Sequence, residues 1–113
     1  MSRVQEQRHH VRRSTPLRCW LVDGKAERFV SLADLSLSGA RVLAAAPPEV
    51  GERVVLRFNL PTSPVPVVAS ARVVWRAEGF RGRGGVLGLA FDSVSEVAAL
   101  SAFIDDRAAS EAV

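Results

Sequence analysis

In several short segments between residues 17 and 91 apolar residues recur at every second position, and this period of two is typical of half-buried β-strands. In the segment 53–60 every second position is apolar, as Val54, Leu56, Phe58 and Leu60. The Asp23-Gly24 pair between two such segments is a strong hairpin signal. Turn residues divide the region into predicted strands over residues 17–22, 27–35, 40–44, 53–60, 67–76 and 86–91.

After residue 92 the period changes from that of a strand to that of a helix. Apolar residues recur there at helical spacing, as Val97, Leu100, Ile104 and Ala108. Ser93 with Glu96 three positions later forms a capping box, which is typical of a helix start. The pattern therefore predicts an amphipathic helix over residues 94–108. Six strands followed by one helix indicate an all-β fold, a small closed antiparallel β-barrel with a C-terminal α-helix.

The first 14 residues are polar and basic and show no period, so we expect a flexible basic N-terminal arm. A length of 113 residues suits one domain with a single core. Within a single domain of residues 1–113 we predict the arm over 1–14, the barrel over 15–92 and the helix over 93–109. The composition, 48% hydrophobic and 24% charged, argues against a disordered chain.

Positive charge is concentrated near the N-terminus, although the whole chain carries a formal net charge of only +3. Glu6 is the one acidic residue among five arginines there, Arg3, Arg8, Arg12, Arg13 and Arg18. A basic arm on a nearly neutral body favours a local anionic ligand over a broad nucleic-acid surface. The predicted strand faces also show no run of exposed aromatic residues for base stacking, so we expect no nucleic-acid partner.

Two short motifs carry the candidate chemistry of the chain. Arg8 and Arg12 are spaced as RxxxR within the arm, and the chain reads DxSxxG from Asp34 to Gly39. Each arginine offers five donors in a planar fork that can hold a phosphate or the O6/N7 edge of guanine. Asp34 can accept from guanine N1–H and N2–H₂, Ser36 adds a hydroxyl, and Gly39 permits a turn or a close backbone approach. Donors together with an acceptor suit a guanine dinucleotide, whereas a plain anion requires donors only.

RxxxR followed by DxSxxG at this separation resembles the signature of the PilZ domain family, and the resemblance extends over nearly the whole chain. It implies a PilZ-type barrel and, from the best known members of the family, a bacterial receptor for the second messenger cyclic di-GMP. By this resemblance the ligand-binding residues are Arg8, Arg12, Asp34, Ser36 and Gly39, with Arg13 and Trp75 as further candidates. Many strong binders of the family carry another arginine immediately before RxxxR, and this chain has Gln7 there.

We expect a stand-alone adaptor in which cyclic di-GMP orders the arm and the changed surface is presented to an effector protein. The alternative is a PilZ-fold protein that acts through protein contacts alone and binds no nucleotide. The sequence contains no nucleophile paired with a base, no carboxylate dyad and no dinucleotide fingerprint, so we predict neither an enzyme nor a cofactor. His9 and His10 have no second group of ligands nearby, and we predict no metal site.

The remaining signals have simpler explanations. Cys19 lies in an apolar run, so we expect it in the core. It is the single cysteine, so no disulfide within the chain is possible, and this fits the reducing cytoplasm. No signal peptide and no stretch of transmembrane length is visible, which predicts a cytoplasmic protein without membrane insertion. Arg81 and Arg83 lie in a glycine-rich loop and are expected to face solvent.

Strict alternation also predicts which side chains share a face of a strand. In the longest strand it places Trp75 in the core, on one face with Val67, Ala69, Ala71 and Val73. Around the DxSxxG motif it turns Leu35 and Leu37 inward. The same alternation places three polar side chains together on the outer face, namely Asp34, Ser36 and Ser38.

Overall fold

A computed structural model of the chain describes residues 11–12, 17–24, 26–61, 63–79 and 84–112. The elements within these ranges are β1 (Val11–Arg12), β2 (Cys19–Asp23), β3 (Ala26–Leu35), β4 (Gly39–Ala44), β5 (Arg53–Phe58), β6 (Val67–Glu78), β7 (Gly85–Val94) and α1 (Val97–Ala112). The predicted strands are all present, and their observed bounds differ from the predicted ones by a few residues.

Strands β2 to β7 close into an antiparallel barrel in the order β3-β2-β5-β6-β7-β4, with β4 pairing back onto β3. Strand β3 closes the ring because its two halves have different neighbours. Its first half, from Ala26 to Val30, pairs with β2, and its second half, from Ser31 to Leu35, pairs with β4. The predicted six-stranded barrel with a C-terminal helix is therefore confirmed.

The barrel interior is filled mainly by the apolar residue of each alternating pair, as the sequence predicts. Cys19 lies in this core, and burial raises the pKa of its thiol to about 12, so the thiol is protonated at neutral pH. Helix α1 packs against the core through Leu100, Phe103 and Ile104. Within the described part of the chain, no helix is long and apolar enough to cross a membrane.

The helix begins later than the sequence predicts, and the prediction of a capping box is wrong. Ser93 lies in β7, where it pairs with Ser70, so it does not cap the helix. The turn is held instead by Ser95, whose N–H donates to the Val68 carbonyl and whose hydroxyl accepts from the Val68 N–H. Helix α1 follows from Val97. Strand β7 continues through Ser93 because it pairs with the long strand β6. This tertiary pairing outweighs the local preference for a helix start.

Part of the predicted arm forms the short strand β1. Val11 pairs with Leu35 and Arg12 with Asp34, on the edge of β3 that β2 leaves uncovered. Unpaired backbone groups at the edge of a sheet can pair with a further strand. The sequence did not predict β1, because the arm shows no period of alternation. Other predictions concern residues outside the described ranges, namely Arg8, His9, His10, Arg13, Arg81 and Arg83.

Candidate functional site

One row of residues crosses the outer face of the barrel on five neighbouring strands. Cross-strand pairing links Trp75 to Gly88, Gly88 to Arg41, Arg41 to Asp34, and Asp34 to Arg12. Residues directly opposite one another in antiparallel strands are close neighbours. The backbone register therefore brings one arginine of RxxxR beside the aspartate of DxSxxG, although the two motifs are far apart in sequence.

A β-bulge in β3 gives Asp34 its orientation. The register between β3 and β4 shifts between Leu32 and Asp34, so that Ala33 is an extra residue in its strand. Without the extra residue, Asp34 would follow Leu32 onto the inner face. The bulge changes the phase of the alternation, and Asp34 turns towards the outer face while Leu35 turns into the core.

A second bulge turns Trp75 outward, so the prediction that Trp75 packs in the core is wrong. The register between β6 and β7 shifts between Val73 and Trp75, which makes Val74 the extra residue. The residues before the bulge obey the predicted alternation, and Val73 is buried. Trp75 is 41% exposed. The prediction failed because strict alternation takes no account of an inserted residue.

Trp75 and Asp34 line one groove on this outer face, with a volume of about 390 Å³. Gly88 forms part of its floor, and the Trp75 indole lies so close over this glycine that a Cβ there would overlap the ring. The absence of a side chain at Gly88 thus allows the indole to lie against the sheet. The groove has an aromatic wall at one side and a carboxylate at the other.

Asp34 is held by Arg41, a residue that neither sequence motif includes. The Arg41 Nε donates to Asp34 Oδ2 over 2.6 Å, and Nη2 approaches the same oxygen. The aspartate side chain is only 7% exposed, whereas that of Arg41 is 41% exposed. From the described residues, Asp34 Oδ1 accepts no hydrogen bond. The position of Arg41, two residues after the DxSxxG glycine on the returning strand of the hairpin, is the signal that could have identified it.

Ser36 stabilises the turn between β3 and β4, and it is buried although it lies on the groove side with Asp34 and Ser38. It is 1% exposed, and its hydroxyl accepts from the N–H groups of Ser38 and Gly39, each over 3.2 Å. The Ser36 N–H donates to the Gly39 carbonyl over 2.9 Å. Strand β3 ends at Leu35, so the alternation stops there and the hydroxyl folds back into the turn. Ser36 still lines the groove.

Gly39 makes the close backbone approach that its position in the motif predicts. A Cβ at Gly39 would overlap the carbonyl oxygen of Leu89 in β7, so a side chain would force two backbones apart. The N–H of Phe91 donates to the Ser38 carbonyl over 2.8 Å at the same contact. Gly39 therefore closes β4 against β7 beside the groove, and its contact with a ligand stays a prediction.

The comparison with protein families agrees with the resemblance over nearly the full length of the chain. The PilZ domain model matches residues 6–106. The chain belongs to the PilZ domain family. A solved structure titled Bacillus subtilis inhibitor of motility, MotI/DgrA, superposes on this PilZ domain with a TM-score of 0.73 at 16% identity. The match covers 91% of this chain and 50% of that chain, so this chain spans about half the length of that structure.

At that level of identity the likeness to MotI/DgrA shows the PilZ fold alone. A comparison with curated protein sequences finds no significant match. Of the residues that the sequence predicts as ligand-binding, the structure gathers Asp34, Ser36, Gly39 and Trp75 around one groove. It places the backbone of Arg12 beside Asp34.

Proposed function

We propose that this PilZ protein is a receptor for cyclic di-GMP, and the observation that carries the proposal is the row from Trp75 to Arg12. The row combines an aromatic ring, a carboxylate acceptor and arginine on neighbouring strands. Indole faces stack on bases, carboxylates accept from guanine, and arginines bind phosphates. A guanine dinucleotide presents all three partners in one ligand.

In the proposed complex one guanine stacks on Trp75 with its edge towards Asp34. The carboxylate accepts from N1–H and N2–H₂, while Arg8 and Arg12 hold phosphates or the O6/N7 edge of guanine. The buried hydroxyl of Ser36 serves mainly to fix the turn that follows Asp34. PilZ proteins are typically receptors or adaptors rather than enzymes, and we propose no reaction for this groove.

The proposed output is a change in the surface around β1. Strand β1 pairs with the end of β3 beside Asp34 and also lies against helix α1. Fixing arm residues costs roughly 1–2 kcal/mol of conformational entropy for each residue. Charge-assisted hydrogen bonds from arginine, about 1.5–3 kcal/mol each, offset that cost. Ligand binding would thus fix the arm next to β1, and an effector protein would recognise the new surface.

A second candidate, an adaptor that binds no nucleotide, is favoured by an aromatic pair on another part of the barrel. Trp20 and Phe29 are cross-strand neighbours with ring centroids 5.9 Å apart, and Phe29 is 65% exposed. The alternation pattern did not predict this pair. The rings meet edge to face at 76°, and Arg57 lies 5.2 Å from the Trp20 ring centroid. Arg57 covers the Trp20 ring, and the exposed Phe29 ring offers an apolar surface that favours a protein contact.

Calorimetric titration distinguishes the two candidates. We expect the purified protein to bind cyclic di-GMP saturably and to give no binding heat with GTP or cyclic AMP, because a mononucleotide cannot contact both the groove and the arm. A protein that is folded by circular dichroism yet gives no heat at high micromolar cyclic di-GMP would support the adaptor without nucleotide.

The Gly88→Ala substitution tests the contact between the indole ring and the groove floor. The added Cβ displaces the exposed Trp75 ring rather than a backbone, so we expect a folded protein that is less stable by about 1–3 kcal/mol. Cyclic di-GMP affinity should fall roughly tenfold or more, because stacking on an aromatic ring contributes about 1–3 kcal/mol. Calorimetry measures the affinity and urea unfolding the stability.

Gly24→Ala is the matched control for Gly88→Ala. Gly24 has a φ of 62°, so an alanine there also strains the chain, but nothing lies within 4 Å of the added Cβ. It should lower stability and leave cyclic di-GMP affinity unchanged. Equal affinities for Gly88→Ala and the parent protein would contradict a stacking role for Trp75.

A further inference from the structure

Arg41 occupies a position in the groove that the proposed ligand contacts do not yet use. It lies between Gly88 and Asp34 in the row, and it lines the groove. Its side chain is 41% exposed although it pairs with a nearly buried carboxylate. An arginine has five N–H donors, and its contacts with Asp34 use two of its nitrogens on a single oxygen. Arg41 therefore keeps N–H donors that Asp34 does not use, and it carries them into the groove.

The Arg41–Asp34 pair presents donors and acceptors in a particular order. A guanidinium donor lies next to Oδ2, and Oδ2 is followed by Oδ1, which accepts no hydrogen bond from the described residues. The order is donor, acceptor, acceptor. The Watson–Crick edge of guanine carries the complementary order, with the O6 acceptor followed by the N1–H and N2–H₂ donors. Adenine carries a donor at the position of O6 and lacks both guanine donors.

The row also directs a stacked base towards this pair. Neighbouring strands lie about 4.8 Å apart, and Gly88 adds no side chain between Trp75 and Arg41. The Trp75 indole covers Gly88, so a base stacked on the ring lies next to the strand that carries Arg41. Asp34 is the next residue in the row, so both polar groups face the same edge of the base.

We infer that Arg41 determines base specificity by donating a hydrogen bond to guanine O6 while Asp34 accepts from N1–H and N2–H₂. This inference rests on the proposed function, since it assigns a role within the cyclic di-GMP groove. Its chemistry requires the planar guanidinium, which binds the carboxylate with one part and the base with another. A lysine ammonium is a single point of charge and supplies this arrangement poorly.

The test uses Arg41→Met, which keeps much of the length of the side chain and removes its donors. We expect its cyclic di-GMP affinity to fall about 10- to 100-fold, as for the loss of a hydrogen bond to a charged group. The second ligand is the cyclic dinucleotide of 6-thioguanine, which keeps both base donors and replaces O6 by a weakly accepting sulfur. The parent protein should prefer the oxygen ligand, and Arg41→Met should bind the two ligands equally.

Arg57→Met is the matched control, because Arg57 also pairs with a carboxylate on the outer face, that of Glu27, but outside the groove. It should keep both the affinity and the preference for oxygen. Arg41→Lys provides a second variant if Arg41→Met does not fold, and it should lose most of the oxygen preference. Thermal unfolding of each variant verifies the fold.

The outcomes separate the inference from the proposed function. If the parent protein does not bind cyclic di-GMP, the proposed function fails and the inference with it. If the parent protein binds but Arg41→Met keeps its affinity, Arg41 does not contact the base. A variant with lower affinity that still prefers oxygen to sulfur shows that Arg41 only positions Asp34. Either of these last two results overturns the inference and leaves the receptor intact.

Discussion

Asp34→Ala is expected to weaken cyclic di-GMP binding by about tenfold or more and to remove the preference for cyclic di-GMP over cyclic di-AMP. Guanine N1–H and N2–H₂ lose their acceptor in this variant, and their desolvation on binding is no longer compensated. Adenine lacks both donors, so cyclic di-AMP should bind the parent protein poorly and gain nothing from Asp34. Calorimetry with both ligands measures the effect.

A site that merely attracts anions predicts the opposite sign for Asp34→Ala. Removal of the carboxylate deletes a negative charge and also releases Arg41 from its ion pair, so a phosphate ligand would bind more tightly. Glu27→Ala is the matched control, because Glu27 is likewise paired with an arginine but lies outside the groove. Tighter binding of cyclic di-GMP by Asp34→Ala would refute guanine recognition by this residue.

Arg12→Ala and Arg8→Ala are each expected to weaken cyclic di-GMP binding by roughly 1.5–3 kcal/mol, the usual effect of losing a hydrogen bond to a charged partner. The register places the backbone of Arg12 opposite Asp34, and RxxxR spacing puts Arg8 four residues earlier on the same segment. The stability of the ligand-free protein should be unchanged, since the barrel closes through β2 to β7 without β1. Calorimetry and thermal unfolding give the two quantities.

Arg18→Ala is the control for these arm variants. Arg18 belongs to the same basic N-terminal segment and is exposed, but it does not line the groove. Its loss should alter binding little, apart from a small general charge effect that disappears at high salt. If Arg12→Ala lowered the melting temperature markedly without ligand, the arm would be a structural part of the barrel rather than a ligand-binding segment.

The fold could be predicted from the sequence because strand alternation and helical spacing both reflect which side chains are buried. Burial of the apolar side chains determines most of the architecture of this barrel. The same counting failed at Trp75, which follows the bulge at Val74, because an inserted residue reverses the face of every later side chain in its strand. Around the DxSxxG motif the count placed Asp34 and Leu35 correctly, since both residues follow the bulge at Ala33. Nothing in the local sequence marks either bulge.

The candidate site was predicted in part. RxxxR and DxSxxG identified residues that the fold brings together, since the register places the backbone of Arg12 beside Asp34. Arg41 was missed because its role depends on cross-strand pairing in the hairpin rather than on a motif. The burial of Ser36 was not predicted, because the strand ends one residue earlier and the hydroxyl then accepts from backbone N–H groups of the turn. The roles of Arg41 and Ser36 depend on strand pairing and on where β3 ends, and the sequence signals only the position of Arg41 after the motif.

Nuclear magnetic resonance titration with cyclic di-GMP tests the central claim most directly, since it reports binding and location together. The chain has two tryptophans, Trp75 in the groove and Trp20 in the aromatic pair outside it. We predict that the indole N–H signal of Trp75 and the amides of Asp34, Arg41 and Gly88 shift saturably, while the Trp20 indole signal stays in place. Unchanged spectra, or shifts centred on Trp20, would contradict a cyclic di-GMP site in this groove.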